Sequence, residues 1–299
     1  MNGPTEDSRP RVLVLRSAGT NCDEETAHAF QLAGATTERI HVGSLLRGER
    51  RLAEFDILAF PGGFSYGDDL GSGTVLANRL RSRLDDDLHA YVAAGKLVIG
   101  ICNGFQVLVR LGLLPGWDDA GGSSGDAEKM ASLVENSSAR FEARWVRLRV
   151  DTDTCPFLSG ERSGRGWTFR LPVAHKEGRF LVKDAATLER LQSGGQIALR
   201  YVDDASGATG FATAYPANPN GSTAGIAGIT NPAGNVLGLM PHPERHLRRL
   251  NDPQWTRRAV REGLPPDEEV SGAGFAFFEN AVRHASHRLR GAGAGAPSV

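Results

Sequence analysis

The chain of 299 residues has no long uninterrupted hydrophobic segment. A membrane-spanning helix needs about 18 or more consecutive apolar residues, and every apolar run in this sequence is much shorter. Residues 1–10 are polar and lack the basic-then-apolar pattern of a secretory signal peptide. We therefore expect a cytoplasmic protein that does not insert into a membrane.

Cysteine and excess charge are also scarce. The three cysteines, Cys22, Cys102 and Cys155, are too few for a disulfide framework and fit reduced thiols in a cytoplasm. Basic and acidic residues nearly cancel, at 34 against 35, so the overall charge gives no reason to expect nucleic acid as a partner.

Motifs for nucleotides and metals are missing. Gly95-Lys96 is followed by Leu97, where a phosphate-binding loop needs Ser or Thr, and Gly71-Ser72-Gly73 lacks the third glycine of a dinucleotide site. The spacing of His and Cys residues fits no zinc site. We expect this chain to carry neither a cofactor nor a metal of its own.

Short apolar runs alternate with helical patterns in the first half of the chain. The runs are 11–15, 56–60 and 96–101, and the helical patterns are 23–33 and 79–94. Strands that are apolar throughout predict an α/β fold with a mostly parallel central sheet and helices on both faces. Further strands, predicted at 141–150, 197–202 and 235–240, form a mixed or antiparallel addition.

The organisation of the chain follows from this pattern. We expect one domain over 11–290, with a polar tail over 1–10 and a flexible tail over 291–299. A C-terminal amphipathic helix is predicted over 275–289, loops over 116–126 and 203–225, and a solvent-exposed helix face over the arginine-rich stretch 245–261.

Cys102 is the first candidate for catalysis. It lies between Gly100 and Gly104, where an apolar strand meets a helix predicted over 104–111. Glycines on both sides permit a sharp strand-to-helix turn that exposes a nucleophile, and the helix N-terminus favours the thiolate. The N–H of Asn103 would then point at an oxyanion formed beside the sulfur. On this motif alone, a buried core cysteine is an equally good interpretation.

His242 and Glu244 form the second candidate. They stand in Pro241-His242-Pro243-Glu244, and a residue before proline is held in extended geometry. Side chains two residues apart in an extended segment project to the same side, so the carboxylate can orient the imidazole. Alone, the segment is better explained as an exposed loop. A nucleophilic cysteine at another strand end reverses that preference.

Gly62-Gly63 is the third candidate, because two glycines at a strand end offer backbone N–H groups for an oxyanion hole. An ordinary turn is the alternative. The segments 17–23, 61–73 and 102–104 all follow predicted parallel strands. Ligands of parallel sheets bind beyond the carboxyl ends of the strands, so we expect these segments to converge.

These motifs together resemble the class I (triad) glutamine amidotransferases. The general class is indicated by GICNGFQ at 100–106 with His242-Pro243-Glu244. Other motifs, in order along the chain, are similar to the glutaminase subunits of phosphoribosylformylglycinamidine synthase, an enzyme of purine biosynthesis. They are GTNCD at 19–23, PGGFSYGDD at 61–69, NSSARFE at 136–142, AHKEGRF at 174–180, RYVD at 200–203, NPNGS at 218–222 and GNVLGLMPHPER at 234–245.

The resemblance implies a flavodoxin-like fold and hydrolysis of L-glutamine to glutamate and ammonia. It implies that Cys102 is the nucleophile, His242 the acid and base, and Glu244 its orienter. Gly63 and Asn103 would supply the oxyanion N–H groups, and Gln106 would line the glutamine pocket. Ammonia would pass to a separate large synthetase subunit that uses ATP and Mg²⁺, in a complex bridged by a small third subunit.

Two departures from the family pattern stand out. Lys176 replaces a usual glycine, so we expect a different local loop if that position needs positive φ. The resemblance covers about residues 11–250, and residues 251–299 match poorly. Three other interpretations stay open: an amidotransferase subunit of another pathway, a cysteine protein of the same fold without amidotransferase activity, and a non-catalytic regulatory subunit.

Overall fold

The computed structural model describes residues 9–117, 130–161, 163–203, 210–263 and 271–293. The strands are β1 (Arg11–Arg16), β2 (Thr36–His41), β3 (Ile57–Phe60), β4 (Leu97–Ile101), β5 (Ala131–Val134), β6 (Glu142–Val150), β7 (Thr168–His175), β8 (Arg179–Val182), β9 (Ile197–Tyr201), β10 (Ile226–Thr230) and β11 (Val236–Leu239). The helices are α1 (Asp23–Leu32), α2 (Val42–Leu46), α3 (Thr74–Ala93), α4 (Asn103–Arg110), α5 (Ala185–Ser193), α6 (Trp255–Glu262) and α7 (Phe275–Gly293).

One nine-stranded sheet organises the chain, in the order β2-β1-β3-β4-β11-β10-β9-β6-β7. The first five strands of that order are parallel, and the remaining four are antiparallel to their neighbours. Every residue of β3, β4 and β11 is buried, which means that both faces of the parallel half are covered. The predicted α/β fold with an antiparallel addition is confirmed.

Strand β11 makes the predicted addition a mixed one. It pairs in parallel with β4, from Val236 beside Val98 to Leu239 beside Ile101, and antiparallel with β10. The physical consequence matters for the site, because parallel neighbours end at the same edge of the sheet. The segment after β11 therefore emerges beside the segment after β4.

The helices pack by their apolar faces. In α3 the predicted stripe of Leu80, Leu84, Leu88 and Tyr91 is buried, but the helix starts at Thr74, five residues before the predicted start. Gly73 precedes it with φ 76°, a left-handed backbone that glycine adopts without strain, and the chain can enter the helix directly. Among the described residues no helix is long and apolar enough to span a membrane.

The C-terminal region follows the prediction only in part. The stretch 245–261 is not one helix face: it holds short 3₁₀ turns at Pro243–Arg245 and Arg249–Asn251 before α6. Helix α7 packs on the domain as expected, with the Phe278 ring edge-on to Phe30 at 4.9 Å, and runs to Gly293, past the predicted end of the domain. Residues 1–8 and 294–299 of the predicted tails, and most of the loop at 116–126, lie outside the described residues.

Candidate active site

The ends of β1, β3 and β4 bring the predicted segments together. Gly62 O accepts hydrogen bonds from the backbone N–H groups of Asn21 (3.3 Å) and Cys22 (3.2 Å). A Cβ atom placed on Gly62 would lie 2.8 Å from Cε1 of His242 and 3.5 Å from Cβ of Cys102. The imidazole and the thiol-bearing residue therefore meet around Gly62, which must be glycine for lack of space.

Cys102 lies at a sharp turn between β4 and α4. Its φ of 52° and ψ of −105° are rare for a residue with a side chain, and it precedes the first turn of α4. The turn is tight because a Cβ on Gly104 would lie 2.7 Å from the carbonyl carbon of Phe60. The flanking glycines thus serve close packing, and the strained backbone falls on the cysteine itself.

His242 and Glu244 are joined by a short hydrogen bond, 2.5 Å between Nδ1 and Oε1, and both are buried. Burial alone would lower the pKa of His242, but the adjacent Glu244 carboxylate and the Cys102 thiol outweigh it, so the pKa is raised well above its usual value. Nε2 of His242 has no hydrogen-bond partner among the described residues. The imidazole is therefore oriented on one side and free on the other.

The backbone N–H groups of Gly63 and Asn103 are the predicted oxyanion donors. An antiparallel bridge joins Thr20 and Gly63, closed by hydrogen bonds from Asn21 N to Gly62 O and from Phe64 N to Gly19 O. Those bonds flank the N–H of Gly63 and do not use it. Asn103 is the first residue of α4, where an N–H has no partner within the helix. The role of both as oxyanion donors stays a prediction.

The side chains of Asn103 and Gln106 form a buried network. Asn103 Nδ2 donates to Gln106 Oε1 at 3.0 Å, and Gln106 Nε2 donates to the carbonyl oxygen of Glu177 at 2.6 Å. Gln106 therefore joins α4 to the loop after β7, and its lining of the glutamine pocket stays a prediction.

Asp68 is a neighbour of this network that the sequence analysis did not single out. It accepts from Asn103 Nδ2 at 3.3 Å and from Ser72 Oγ at 2.9 Å. Desolvation by burial raises its pKa, and the nearby carboxylate of Glu177 adds to the effect. In the sequence, only its position in the loop that follows Gly62-Gly63 indicated a place near the site. An exposed turn explains such a position equally well.

His175 is a second buried residue that sequence reasoning missed. Its Nδ1 lies 3.1 Å from Oδ1 of Asn136, and its neighbour Ala174 offers a carbonyl oxygen 3.7 Å from the Cys102 thiol. Burial, reinforced by the charge on His242, lowers the pKa of His175 to about 3. It is a neutral structural imidazole at the edge of the site.

Cys22 is the third missed residue. It is fully buried, and its Sγ accepts a hydrogen bond from the guanidinium of Arg245 at 3.1 Å. Donor atoms of Cys22, His242 and Glu244 lie within 4.8 Å of one another, a set that could hold a metal ion. His242 and Glu244 already hydrogen-bond to each other, however, and the Sγ atom of Cys22 already accepts a hydrogen bond from the guanidinium of Arg245. These contacts favour proton transfer over metal binding.

The expected difference in the loop at Lys176 depended on a positive φ at that position. Lys176 is not among the described residues with positive φ, so a side chain there causes no backbone strain. Its ammonium pairs with Glu135 at 3.2 Å, and both side chains are exposed. The loop accepts lysine because the side chain points to solvent.

The chain is similar to known proteins over nearly its whole length. The CobB/CobQ-like glutamine amidotransferase domain matches residues 9–285, so the family match extends beyond the range 11–250 that the motifs cover. A curated relative from Methanococcus maripaludis, phosphoribosylformylglycinamidine synthase subunit PurQ, is 41% identical over 92% of this chain and 97% of its own.

A relative of the same name from Dehalococcoides mccartyi is 43% identical over 93% of this chain and 98% of its own. Among solved structures, a chain of PurLQS from Thermotoga maritima is 30% identical with a TM-score of 0.65, covering 92% of this chain and 99% of that one. The resemblance predicted from the motifs is confirmed.

Proposed function

This chain belongs to the CobB/CobQ-like glutamine amidotransferase family, and we propose that it is the glutaminase subunit of a phosphoribosylformylglycinamidine synthase in purine biosynthesis. The observation that carries the proposal is the meeting of Cys102 with the buried His242–Glu244 pair, because that arrangement supplies a nucleophile, its base and the orienter of that base. We infer glutamine as the substrate from the glutamine amidotransferase family to which the chain belongs.

The first half of the reaction makes a covalent intermediate. The Cys102 thiolate attacks the side-chain amide carbon of glutamine, and a carbon–sulfur bond forms as the carbonyl electrons move to oxygen. The N–H groups of Gly63 and Asn103 hold that oxyanion. Protonated His242 gives its Nε2 proton to the leaving nitrogen, the carbon–nitrogen bond breaks, and ammonia leaves a glutamyl thioester.

The second half releases glutamate. Neutral His242 takes a proton from water, and the resulting hydroxide attacks the thioester carbon. The tetrahedral intermediate collapses, the carbon–sulfur bond breaks and its electrons return to sulfur, which restores the thiolate–imidazolium pair. The new carboxyl group loses its proton to solvent, and glutamate leaves. The 2.5 Å hydrogen bond between Nδ1 of His242 and Oε1 of Glu244 holds the ring in one orientation and stabilises the imidazolium.

Ammonia must reach a partner before water protonates it. We infer a complex with a large synthetase subunit, which binds ATP and Mg²⁺ and consumes the ammonia, and with a small bridging subunit. This chain has no phosphate-binding loop of its own. Its described cysteines are all free thiols, which fits a reducing cytoplasm.

The partner also offers a means of control. An isolated subunit that hydrolysed glutamine freely would waste it whenever the acceptor was absent. The glycine-rich segments 62–73 and 100–104 can move between a misaligned and an aligned oxyanion hole. One misplaced donor costs roughly 10²–10³-fold in rate, so a small movement is a sufficient switch.

Steady-state kinetics of the purified chain, with and without the synthetase subunits, its nucleotide and the acceptor, test this function. We expect weak glutaminase activity alone and a partner-induced rise in kcat larger than any fall in KM. Full activity alone, unchanged by the partner, would reject the control but keep the triad. Absence of glutaminase activity in the complete complex would reject the function itself.

A further inference from the structure

The segment Ser271–Gly274, here named the glycine clamp, lies against the turn that carries His242 and Glu244. Backbone N–H groups of the clamp donate to that turn: Gly272 N to the carbonyl oxygen of Leu247 at 2.8 Å, and Gly274 N to that of His246 at 3.0 Å. Arg248 and Ser271 complete an antiparallel bridge. The clamp therefore follows the turn as a short paired strand would.

The two glycines of the clamp leave no room for a side chain. A Cβ on Gly274 would lie 2.7 Å from the carbonyl carbon of Pro243 and closer still to its oxygen. A Cβ on Gly272 would lie 2.8 Å from the carbonyl carbon of His246. Both obstacles are backbone atoms, so they cannot turn away as the end of a flexible side chain can. Pro243 stands between His242, the proposed acid and base, and Glu244, its proposed orienter.

The clamp is itself held in place by α7, which begins at the next residue. Phe277 and Phe278 are fully buried, and Phe278 meets Phe30 of α1 edge-on. Asn280 Nδ2 donates to the carbonyl oxygen of Phe157 at 3.0 Å, which ties α7 to the chain that follows β6. A displaced clamp would have to disturb this packing, so a Cβ on Gly274 would displace the turn as well as the clamp.

The nucleophile is held by its own strand and helix and by the strand that leads into the turn. Cys102 follows β4 and precedes α4, and its backbone N–H donates to the carbonyl oxygen of Leu239, the last residue of β11, at 2.8 Å. The clamp contacts the turn beyond Leu239 and not the elbow. A shift of that turn beyond Leu239 changes the distance between imidazole and thiol while β11 and the elbow keep their pairing.

We propose that the glycine clamp positions His242 and Glu244 against Cys102, and that Gly272 and Gly274 are positioning residues for the acid and base of the reaction. This inference rests on the proposed glutaminase function. A catalytic group displaced by about 1 Å can cost roughly 10²-fold in rate, and a Cβ on Gly274 demands a displacement of that order. Glutamine binding is unaffected in this account, because the clamp contacts none of the residues expected at the substrate.

The test compares Gly274→Ala with Gly291→Ala in the complete synthetase complex. Gly291 is a matched control on α7, where a Cβ meets nothing within 4 Å and φ is not left-handed. We expect Gly274→Ala to lower the kcat for glutamine roughly 10–100-fold with KM nearly unchanged. Synthesis from added ammonia should equal that of wild type, and Gly291→Ala should match wild type throughout.

A second variant covers the case in which Gly274→Ala does not fold. Ala273→Gly adds no atoms and loosens the clamp, so it should fold and lower kcat several-fold at unchanged KM. Wild-type kcat in a folded Gly274→Ala, or in Ala273→Gly if that variant alone folds, overturns the proposal. A loss of thermal stability with kcat unchanged also overturns it, since that pattern belongs to a purely structural role. Wild-type protein without glutaminase activity would instead refute the underlying function.

Discussion

The nucleophile and the acid–base pair are built in different ways. Cys102 is placed mainly by its own neighbours in the chain, which are one strand, one sharp turn and one helix. Two contacts with distant strands add to this: Gly104 packs on the carbonyl of Phe60, and Cys102 N–H donates to Leu239 O. His242 is placed by distant parts of the chain. Its N–H donates to Pro172 O at 2.9 Å, and the clamp holds the far side of its turn.

This difference follows from the two halves of the sheet. The elbow lies in the parallel half, where a strand–helix unit is complete within about a dozen residues. The His242 turn leaves the parallel half and runs between the antiparallel strands and the C-terminal helices. Arg245 adds a third contact, through Cys22 of the N-terminal region. Local motifs can specify a nucleophile, whereas an acid–base pair here depends on the assembled fold.

Removal of the nucleophile gives the largest expected effect. Cys102→Ala should abolish glutamine-dependent synthesis in the complex and leave synthesis from added ammonia intact, because no other group can form the thioester. Cys155→Ala is the control: burial raises the pKa of that thiol to about 12, so it is inert. A glutamine-mimicking electrophile, followed by peptide mapping, should label Cys102 alone. A label on Cys22 would contradict the assignment.

Loss of the orienting carboxylate comes next. Glu244→Gln should keep the fold and KM but lower kcat, by up to about 10⁴-fold, since related triads lose that much without their orienter. Glu142→Gln removes another buried carboxylate, one paired with Arg144 at 2.9 Å, and should leave kcat unchanged. Steady-state kinetics decide. Near-wild-type turnover in Glu244→Gln would mean that another group orients His242.

The same contrast explains what could be predicted from sequence. Cys102, His242 and Glu244 were found because short motifs with prolines and glycines carry their geometry. The rule for parallel strand ends predicted that the segments 17–23, 61–73 and 102–104 converge, but it did not predict that His242 joins them. The neighbours β4 and β11 are more than 100 residues apart, and nothing in either strand specifies that pairing. Its placement beside β4 was therefore missed.

Residues that act through tertiary contacts were missed for the same reason. His175 looks like any strand-end histidine until Asn136 and the site enclose it. Arg245 looked like part of a solvated helix face, yet it lies on a buried thiol. Gly272 and Gly274 carry no chemical group at all, and their role becomes visible only from the backbone atoms that they approach.

The next largest expected effect concerns stability and not catalysis, and it comes from substitution of His175. Its folded pKa of about 3 lies below the usual 6.5, so between these values the unfolded chain binds a proton that the folded chain excludes. The exclusion of this proton does not change the free energy of unfolding above about pH 6.5. Below that pH it lowers the free energy of unfolding increasingly as the pH falls. At about pH 4.5 the loss is up to roughly 3 kcal/mol.

His175→Asn should therefore flatten the pH dependence of unfolding between about pH 4 and 6.5, whatever its effect on absolute stability. His28→Asn, on the exposed side of α1, is the control and should keep the wild-type slope. Urea unfolding at several pH values measures both. Equal slopes in wild type and His175→Asn would show that His175 is not held neutral.

Lys176→Gly gives the smallest expected effect. It tests a residue that is close to the site in sequence but does not support either the nucleophile or the His242–Glu244 pair. Lys176 lies in the loop after β7, near the site in sequence, yet its side chain is exposed and pairs with exposed Glu135. An exposed ion pair contributes about 0–1 kcal/mol, and glycine adds backbone entropy to the unfolded chain, so we expect a loss of stability below about 1.5 kcal/mol. The kcat should stay within about twofold of wild type, because the backbone that meets Gln106 needs no positive φ here. Thermal unfolding and steady-state kinetics of the variant measure the two effects. A gain in stability would mean that lysine strains the loop, and the acid–base side of the site would then depend on this position as well.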